Sequence, residues 1–290
     1  MAMASSTSSA LADEFEVPDS IEITFAEDVP QFTRDQVELG VEAFWRVFGS
    51  LFDVDDPLRA TVLVFEDLDA AAAAWARNTG TSIGTARSLL TGRHGAPRSR
   101  AIGTLAVLLL PQGRSQAFQT TIHELAHMAQ NWARGGQGPV WLGEGPASYY
   151  ASLANATVAP SPRLTLERRR ELWSDTKGLC RAGVMAADQC SWVEAPLTAI
   201  DGRRPFDDAA QNAGRLGAYG FAELAFSYLV HLEGADSYLC FLDRQSQGSA
   251  WRAAFEACFG ITVTDFYSRF ARFQQDHYML LIPNPRQRLV

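Results

Sequence analysis

The sequence contains no apolar run that is long enough to cross a membrane. Its longest candidate, Leu105–Leu110, has the length of a β-strand and stops at Pro111, whereas a membrane helix needs roughly 18 to 20 apolar residues. The first ten residues, Met1–Ala10, carry neither the basic segment nor the apolar segment of a secretory signal peptide. Since they could equally be the trimmed start of an exported protein, the sequence leaves a cytoplasmic and an exported location both open.

Positive charge is also scarce. The chain of 290 residues has 25 Lys and Arg against 33 Asp and Glu, a net charge of −8, and Lys177 is its only lysine. This acidic balance argues against nucleic acid or an anionic membrane as the main partner. Hydrophobic residues at 47% and charged residues at 20% are ordinary for a globular protein and exclude a disordered or collagen-like chain.

Cysteine is limited to four residues, Cys180, Cys190, Cys240 and Cys258. They allow three pairings if all are oxidised. Cys180 and Cys190 bracket a short segment with the composition of a loop, which favours a local disulfide. Four buried thiols in a cytosolic protein are the equally weighted alternative, so the redox state stays open.

The predicted elements divide the chain into a strand-rich first third and a helical remainder, which indicates an α+β fold. Alternating and apolar runs predict strands at Ile21–Phe25, Ala60–Phe65 and Ile102–Leu110. Apolar residues at three- and four-residue spacing predict helices over residues 33–48, 68–77, 116–133, 144–153, 164–174, 217–233, 235–244, 250–258 and 263–278.

We therefore expect three parts. Residues 1–18 form a flexible N-terminal segment, residues 19–156 an α/β part with a small mixed sheet, and residues 157–290 a helical part. The stretch from Asp175 to Leu216 is rich in Gly, Pro and Asp, which predicts an irregular, loop-rich insert such as a flap.

One segment carries a metal-binding motif. His123, Glu124 and His127 form the pattern H-E-x-x-H inside a run with helical apolar spacing. Residues four apart lie on one face of a helix, so the two histidines can bind one metal ion. Glu124 lies about 100° round the helix from His123 and can face a metal-bound water without binding the metal. Neutral imidazoles suit zinc, which lowers the pKa of bound water to about 7. The alternative is a surface helix with a histidine pair.

A second pattern, P-x-W-L-x-E-G-x-A-x-Y, follows across a glycine-rich turn. It is formed by Pro139, Trp141, Leu142, Glu144, Gly145, Ala147 and Tyr149. Together with H-E-x-x-H, it resembles the gluzincin metallopeptidases, and more narrowly their peptidase-MA-like group. The resemblance covers about residues 100 to 275 and implies a zincin-like fold. It also implies that Glu144 is the third ligand of a His₂Glu zinc site with water in the fourth position; an exposed carboxylate at a helix N-terminus is the alternative for Glu144.

The resemblance implies further residues with lower specificity. In similar proteins a Tyr or His from a later helix assists the developing oxyanion, and Tyr219 is the first candidate here, with His231 as the second. A partly buried aromatic and a surface histidine are the alternatives at these positions. Ser148 stands where many gluzincins carry an acidic residue that holds a ligand histidine; a hydroxyl can accept the same hydrogen bond, but more weakly.

These similarities predict a zinc metallopeptidase, most simply an endopeptidase that acts on a peptide or protein. A metzincin would need Gly at position 130 and His at position 133, where this chain has Gln130 and Ala133. The aminopeptidase motif Gly-x-Met-Glu-Asn is absent before the site. The strand Ile102–Leu110 is expected to pair with an extended substrate. Two alternatives remain, a non-catalytic zinc-binding or partner-binding protein on the same fold and a zinc hydrolase of a non-peptide amide or ester.

Overall fold

The structure is a computed structural model that describes residues 20–49, 59–91, 98–110, 116–133, 138–158, 166–184, 190, 195–212 and 217–275. The expected flexible segment, residues 1–18, lies outside them. The strands are β1 (Ile21–Phe25), β2 (Ala60–Phe65), β3 (Arg100–Ile102) and β4 (Leu105–Leu109). The helices are α1 (Gln31–Phe48), α2 (Leu68–Thr79), α3 (Ile83–Leu89), α4 (Ala117–Trp132), α5 (Val140–Val158), α6 (Leu166–Arg181), α7 (Arg203–Asn212), α8 (Ala218–Glu233), α9 (Asp236–Ser246), α10 (Trp251–Phe259) and α11 (Val263–Gln275), with a 3₁₀ turn at Leu197–Ile200.

The four strands form one mixed sheet in the order β1-β2-β4-β3. Strands β1, β2 and β4 are parallel, and β3 runs antiparallel to β4. Every residue of β4 is buried, because Ala106 and Leu108 belong to the core shared with α1 and α4, whereas Val107 and Leu109 pack with α2 and α3. A strand covered on both faces needs a continuous apolar sequence, which β4 has.

The predicted third strand, Ile102–Leu110, is two strands in the structure, so this prediction was wrong in its bounds. Ile102 belongs to β3 and pairs with Leu105 across a tight turn. At this turn Gly103 has a φ of 55°, a conformation that glycine adopts without steric cost. A single glycine beside a long apolar run is a weak turn signal, and the apolar pattern concealed it.

The helical remainder packs against α5. Helix α5 runs alongside α8, so that Tyr149 contacts Phe226 edge to face, with ring centroids 5.2 Å apart. The result is a mostly helical molecule with a small sheet near the N-terminus. The prediction of an α+β fold is confirmed at this level.

The segment from Asp175 to Leu216 is more regular than predicted. Helix α6 continues to Arg181, and α7 forms at Arg203–Asn212, so the prediction of irregular structure was wrong for these residues. Phe206 and Ala209 of α7 are fully buried. Burial of one apolar face stabilises a helix whose own propensity is modest, and local sequence patterns do not report that burial.

All four cysteines are paired in two disulfides. One joins Cys180 to Cys190, the local pair that the sequence suggested, and the other joins Cys240 of α9 to Cys258 of α10. The alternative of four free thiols therefore does not apply to this structure.

None of the helices within the described ranges combines the length and the apolar character needed to span a bilayer.

Candidate metal centre

Helix α4 holds the motif residues on the side that faces away from the core. Ile122, Leu125 and Ala129 are fully buried, whereas the side chains of His123 and His127 keep 18% and 21% of their surface exposed. The apolar face packs against α1 and the sheet, so the rest of the helix is free to present polar groups. The predicted helix at 116–133 is confirmed.

Helix α5 supplies Glu144. The helix begins at Val140, before the predicted start, so Glu144 lies in its second turn and not at its N-terminus. Trp141 and Leu142 anchor the first turn in the core. The side chain of Glu144 is only 3% exposed, which excludes the alternative of an exposed terminal carboxylate.

The three side chains meet at one point. His127 Nε2 lies 3.2 Å from His123 Nε2 and 3.2 Å from Glu144 Oε2, and His123 Nε2 lies 3.3 Å from the same oxygen. Their ligand atoms all lie within 4.8 Å of one another, so His123, His127 and Glu144 could hold a metal ion. We call these three residues the ligand group. Two imidazole nitrogens and one carboxylate oxygen fit a divalent transition metal and leave a tetrahedral ion one open position.

Charge within the ligand group is arranged for a cation. Burial opposes the charged form of His127, but the Glu144 carboxylate outweighs it and raises the pKa of His127 to about 9. Burial also opposes ionisation of Glu144, yet His127 and the hydrogen bonds from both histidines hold the pKa of this carboxyl well below its usual range. Glu144 is therefore an anion in a buried site, the form that a metal ligand must have.

Gln130 sets the orientation of one ligand. Its Nε2 donates to the carbonyl of Gly143 at 2.8 Å and to the hydroxyl of Tyr238 at 2.9 Å. A carbonyl can only accept, so the amide oxygen must face His127, whose Nδ1 lies 2.9 Å away. Nδ1 therefore carries a proton, so in the neutral imidazole, the form that binds a metal, the lone pair is on Nε2, which faces the ligand group. From the sequence, Gln130 was used only to exclude a metzincin. Its position three residues after His127 on the same helix was a signal for this role that was overlooked.

Ser148 holds the other histidine loosely. Its Oγ lies 3.5 Å from His123 Nδ1, at the outer limit of a hydrogen bond. Ser148 thus lies beside the histidine that the resemblance led us to expect, but it holds His123 less firmly than Gln130 holds His127.

Arg203 is a site residue that the sequence analysis missed. Its Nη1 donates to Glu144 Oε1 at 2.6 Å, while the other carboxylate oxygen, Oε2, faces the two histidines. Arg203 is the first residue of α7, and the preceding Asp201 accepts a hydrogen bond from the Val140 amide and another from the Tyr267 hydroxyl. These bonds fix the start of α7 beside α5. No sequence motif marks Arg203, because its contact with Glu144 joins residues 59 positions apart.

A cleft of about 620 Å³ opens onto the ligand group. Glu124 lines it with 8% of its surface exposed, and its carboxylate makes no hydrogen bond with any residue that the structure describes. Tyr219 lines it as well, with its ring centroid 5.9 Å from that of His123. Burial and the Glu144 carboxylate raise the pKa of Tyr219, so its hydroxyl stays protonated and can donate.

A second cavity, of about 310 Å³, adjoins His127 and Glu144 of the ligand group. It shares His127, Glu144 and Arg203 with the cleft, and Leu142, Phe241 and Leu242 give it an apolar wall. These two ligands thus line both a polar space and a more apolar one.

His231, the second candidate for oxyanion stabilisation, does not lie with the ligand group. It is on α8 twelve residues after Tyr219, about 18 Å further along the helix, and it lines neither the cleft nor the second cavity. It is also buried rather than on the surface, with 9% exposed. The structure therefore supports Tyr219 over His231 for any role at this site.

The prediction that the strand Ile102–Leu110 pairs with an extended substrate was wrong for the part that forms β4. Both sides of β4 are occupied, by β2 and by β3, so its main-chain groups are already paired and it cannot accept another strand. Residues 98–101, which include most of β3, line the cleft instead. The edge beside the candidate site belongs to β3.

In three comparisons with known proteins, no protein-family model, no curated protein and no solved structure matched this chain.

Proposed function

We propose that this chain is a zinc-dependent endopeptidase with a gluzincin-type site on a zincin-like fold. The observation that carries the proposal is the convergence of His123, His127 and Glu144 beside a fourth group, Glu124, which lines the same cleft without joining the ligand group. A structural metal site has no need of such a carboxylate, whereas hydrolysis needs a general base within reach.

Zinc is the metal that this donor set favours. Catalytic zinc sites typically combine three protein ligands, among them His₂Glu, with one open position. When bound, the ion would acidify a water molecule and polarise the carbonyl under attack.

The protein's own residues divide the remaining work. Glu124 accepts a proton from the attacking water and passes it to the leaving amine. Tyr219 donates its hydroxyl hydrogen to the developing oxyanion. Arg98 Nη2 donates to the Tyr219 oxygen at 3.3 Å, so the phenolic hydrogen is not used in that contact and can point into the cleft.

A peptide substrate fits beside β3. This strand is at one end of the sheet order, and its outer edge pairs with no strand in the described part of the chain. An extended peptide could add there through main-chain hydrogen bonds, next to the ligand group. The packing of α4 on a mixed sheet with an antiparallel edge strand supports the zincin-like part of the proposal.

A non-catalytic metal-binding or partner-binding protein on the same fold is the second candidate. The long contact between Ser148 and His123 favours it, because one ligand is then weakly held. Glu124 weighs against it, because a carboxylate that lines the cleft beside the ligand group without joining it takes no part in holding a metal.

The test combines metal content with turnover. Wild type, Glu144→Ala and Glu124→Gln are purified, zinc is measured by elemental analysis, and cleavage of a peptide library is followed by mass spectrometry. We expect about one zinc per chain in wild type and in Glu124→Gln, and a marked loss in Glu144→Ala. Cleavage should fall by about 100-fold or more in Glu124→Gln, because the general base is removed while the metal stays.

Glu38→Gln is the matched control, because it removes one exposed carboxylate from α1, away from the cleft. It should keep both zinc and activity. Near-full activity in Glu124→Gln would contradict the assigned role. A zinc-loaded wild type that cleaves neither peptides nor unfolded protein would favour the non-catalytic candidate.

A further inference from the structure

Three arginines converge on the cleft that opens onto the ligand group. Arg98 and Arg100 come from the edge strand β3 and the residues before it, and Arg203 comes from the first turn of α7. Three guanidinium groups around one cleft are unexpected in a chain with a net charge of −8. The cleft is also lined by the carboxylates of Glu124, Glu144 and Glu223, so its lining carries both signs of charge.

Only one of the three forms an ion pair with a residue that the structure describes. Arg203 is paired with the Glu144 carboxylate at 2.6 Å. Arg98 donates to the neutral hydroxyl of Tyr219 and has no ion pair with any described residue. Arg100 has neither a hydrogen bond nor an ion pair from its guanidinium to the part of the chain that the structure describes.

The unpaired arginines are also partly removed from water. Both Arg98 and Arg100 are only partly exposed. Burial and the neighbouring Arg98 and Arg203 lower the pKa of Arg100, although the carboxylates of Glu124 and Asp207 oppose this shift. Burial also opposes the charged form of Arg98, but neighbouring carboxylates such as Glu144 outweigh it and raise the pKa of Arg98. A half-buried guanidinium beside like charges is costly unless an anion completes it.

The positions of the two side chains suit a bound anion. Arg98 and Arg100 are two residues apart at the start of β3, and both line the cleft together with His123. A guanidinium offers a planar fork of N–H donors that matches the two oxygens of a carboxylate. The pair therefore lies beside the path that a substrate aligned with β3 would follow.

We propose that Arg98 and Arg100 bind a carboxylate group of the substrate, so that this site selects peptides with an acidic group near the bond to be cut. The cleavage of a bond near this carboxylate rests on the proposed peptidase function, whereas carboxylate binding by the two arginines does not. The carboxylate can come from an Asp or Glu side chain or from the C-terminus of a peptide, and the experiment separates these two sources.

The first measurement is binding without turnover. Full-length Glu124→Gln protein is titrated against three fluorescein-labelled peptides of one length and core sequence. One carries an internal Glu and a C-terminal amide, one an internal Gln and a free C-terminal carboxylate, and one an internal Gln and a C-terminal amide. By fluorescence anisotropy, at least one acidic peptide should bind about tenfold or more tightly than the neutral peptide. The peptide that binds more tightly shows whether the carboxylate comes from a side chain or from the C-terminus.

Substitution then assigns the preference to the arginines. Adding Arg100→Gln should reduce binding of the preferred acidic peptide to near the level of the neutral peptide. Arg77→Gln, which removes the same charge from an exposed position on α2, should leave the preference intact. Equal binding of all three peptides, or equal losses in the two arginine variants, would overturn the proposal, as would the absence of binding by any peptide.

Cleavage by the wild-type protein separates this proposal from the proposed function. If the neutral and acidic peptides are cut at the same kcat/KM, the carboxylate site is wrong and the peptidase function stands. If the acidic peptide binds selectively through Arg100 but no peptide is cut, the carboxylate site stands and the peptidase function fails.

Discussion

At the scale of single residues, Gln130 illustrates how one side chain can order a metal ligand and two neighbouring helices together. It accepts from His127 and donates to Gly143 on α5 and Tyr238 on α9. Because all three bonds run through one buried amide, the imidazole of His127 is locked in both rotation and tautomer. Ligand preorganisation of this kind raises metal affinity without adding a ligand.

Replacing Gln130 by Ala should weaken metal binding by about 10- to 100-fold, since His127 would lose the acceptor that orients it. Competition with a chromophoric chelator measures the affinity for zinc. Asn131→Ala is the matched control, because Asn131 follows Gln130 and also lines the cleft, but its side chain makes no hydrogen bond with any described residue. Equal affinities for the two variants would show that the Gln130 contact does not order the ligand.

At the scale of elements, the distance between α5 and α8 depends on a glycine. A Cβ at Gly145 would lie 2.5 Å from the carbonyl oxygen of Ala222 and 3.0 Å from its carbon. Because these are backbone atoms, they cannot rotate away, and the two helices would have to separate. Gly145 follows Glu144 directly, so the same close packing that joins the helices positions the third ligand.

Gly145→Ala should therefore lower the free energy of unfolding by about 1–3 kcal/mol, as overpacking does in other cores. Gly143→Ala, two residues earlier in the same helix, is the control. Its Cβ would meet Gln130 Oε1 at an ordinary 3.7 Å, and alanine favours a helix over glycine by up to about 1 kcal/mol. Denaturant unfolding of both variants measures the difference. Similar losses in the two would mean that α5 and α8 can move apart freely.

At the scale of the whole molecule, the candidate site is assembled from distant parts of the chain. Helix α4 supplies Glu124 and two ligands, α5 the third ligand, α7 Arg203 and α8 Tyr219. Two disulfides join parts of the helical remainder, one at the end of α6 and one between α9 and α10. Disulfides are typical of proteins from oxidising compartments, so they favour the exported alternative.

The denatured protein without reductant should accordingly contain no reactive thiols, and four should appear after reduction. Thiol titration with a disulfide reagent measures both numbers. The Cys240–Cys258 bond closes a loop with a sequence separation of 18, and constraining such a loop in the unfolded chain is worth about 3 kcal/mol. The double variant Cys240→Ser, Cys258→Ser should lose about that much stability. Four reactive thiols before reduction would exclude the disulfide structure.

Predictions from the sequence were accurate where the controlling interactions are local. The apolar spacing of α4 and the four-residue interval between His123 and His127 are properties of a single helix, and both are present in the structure. The prediction of Glu144 depended on a resemblance to known peptidases, and the structure brings this residue to the two histidines. The division of Ile102–Leu110 into β3 and β4 was missed, because a turn at one glycine is hidden beside a longer apolar run.

The sequence alone determined that α4 would carry two histidines on one face, because helical geometry follows from the chain itself. Only the tertiary structure decided which groups surround them. Arg203 reaches Glu144, Arg98 reaches Tyr219 and Gln130 reaches Tyr238 across separations of 59, 121 and 108 residues. Contacts at such distances depend on how helices and strands pack, and a pattern confined to one segment holds no information about packing between segments.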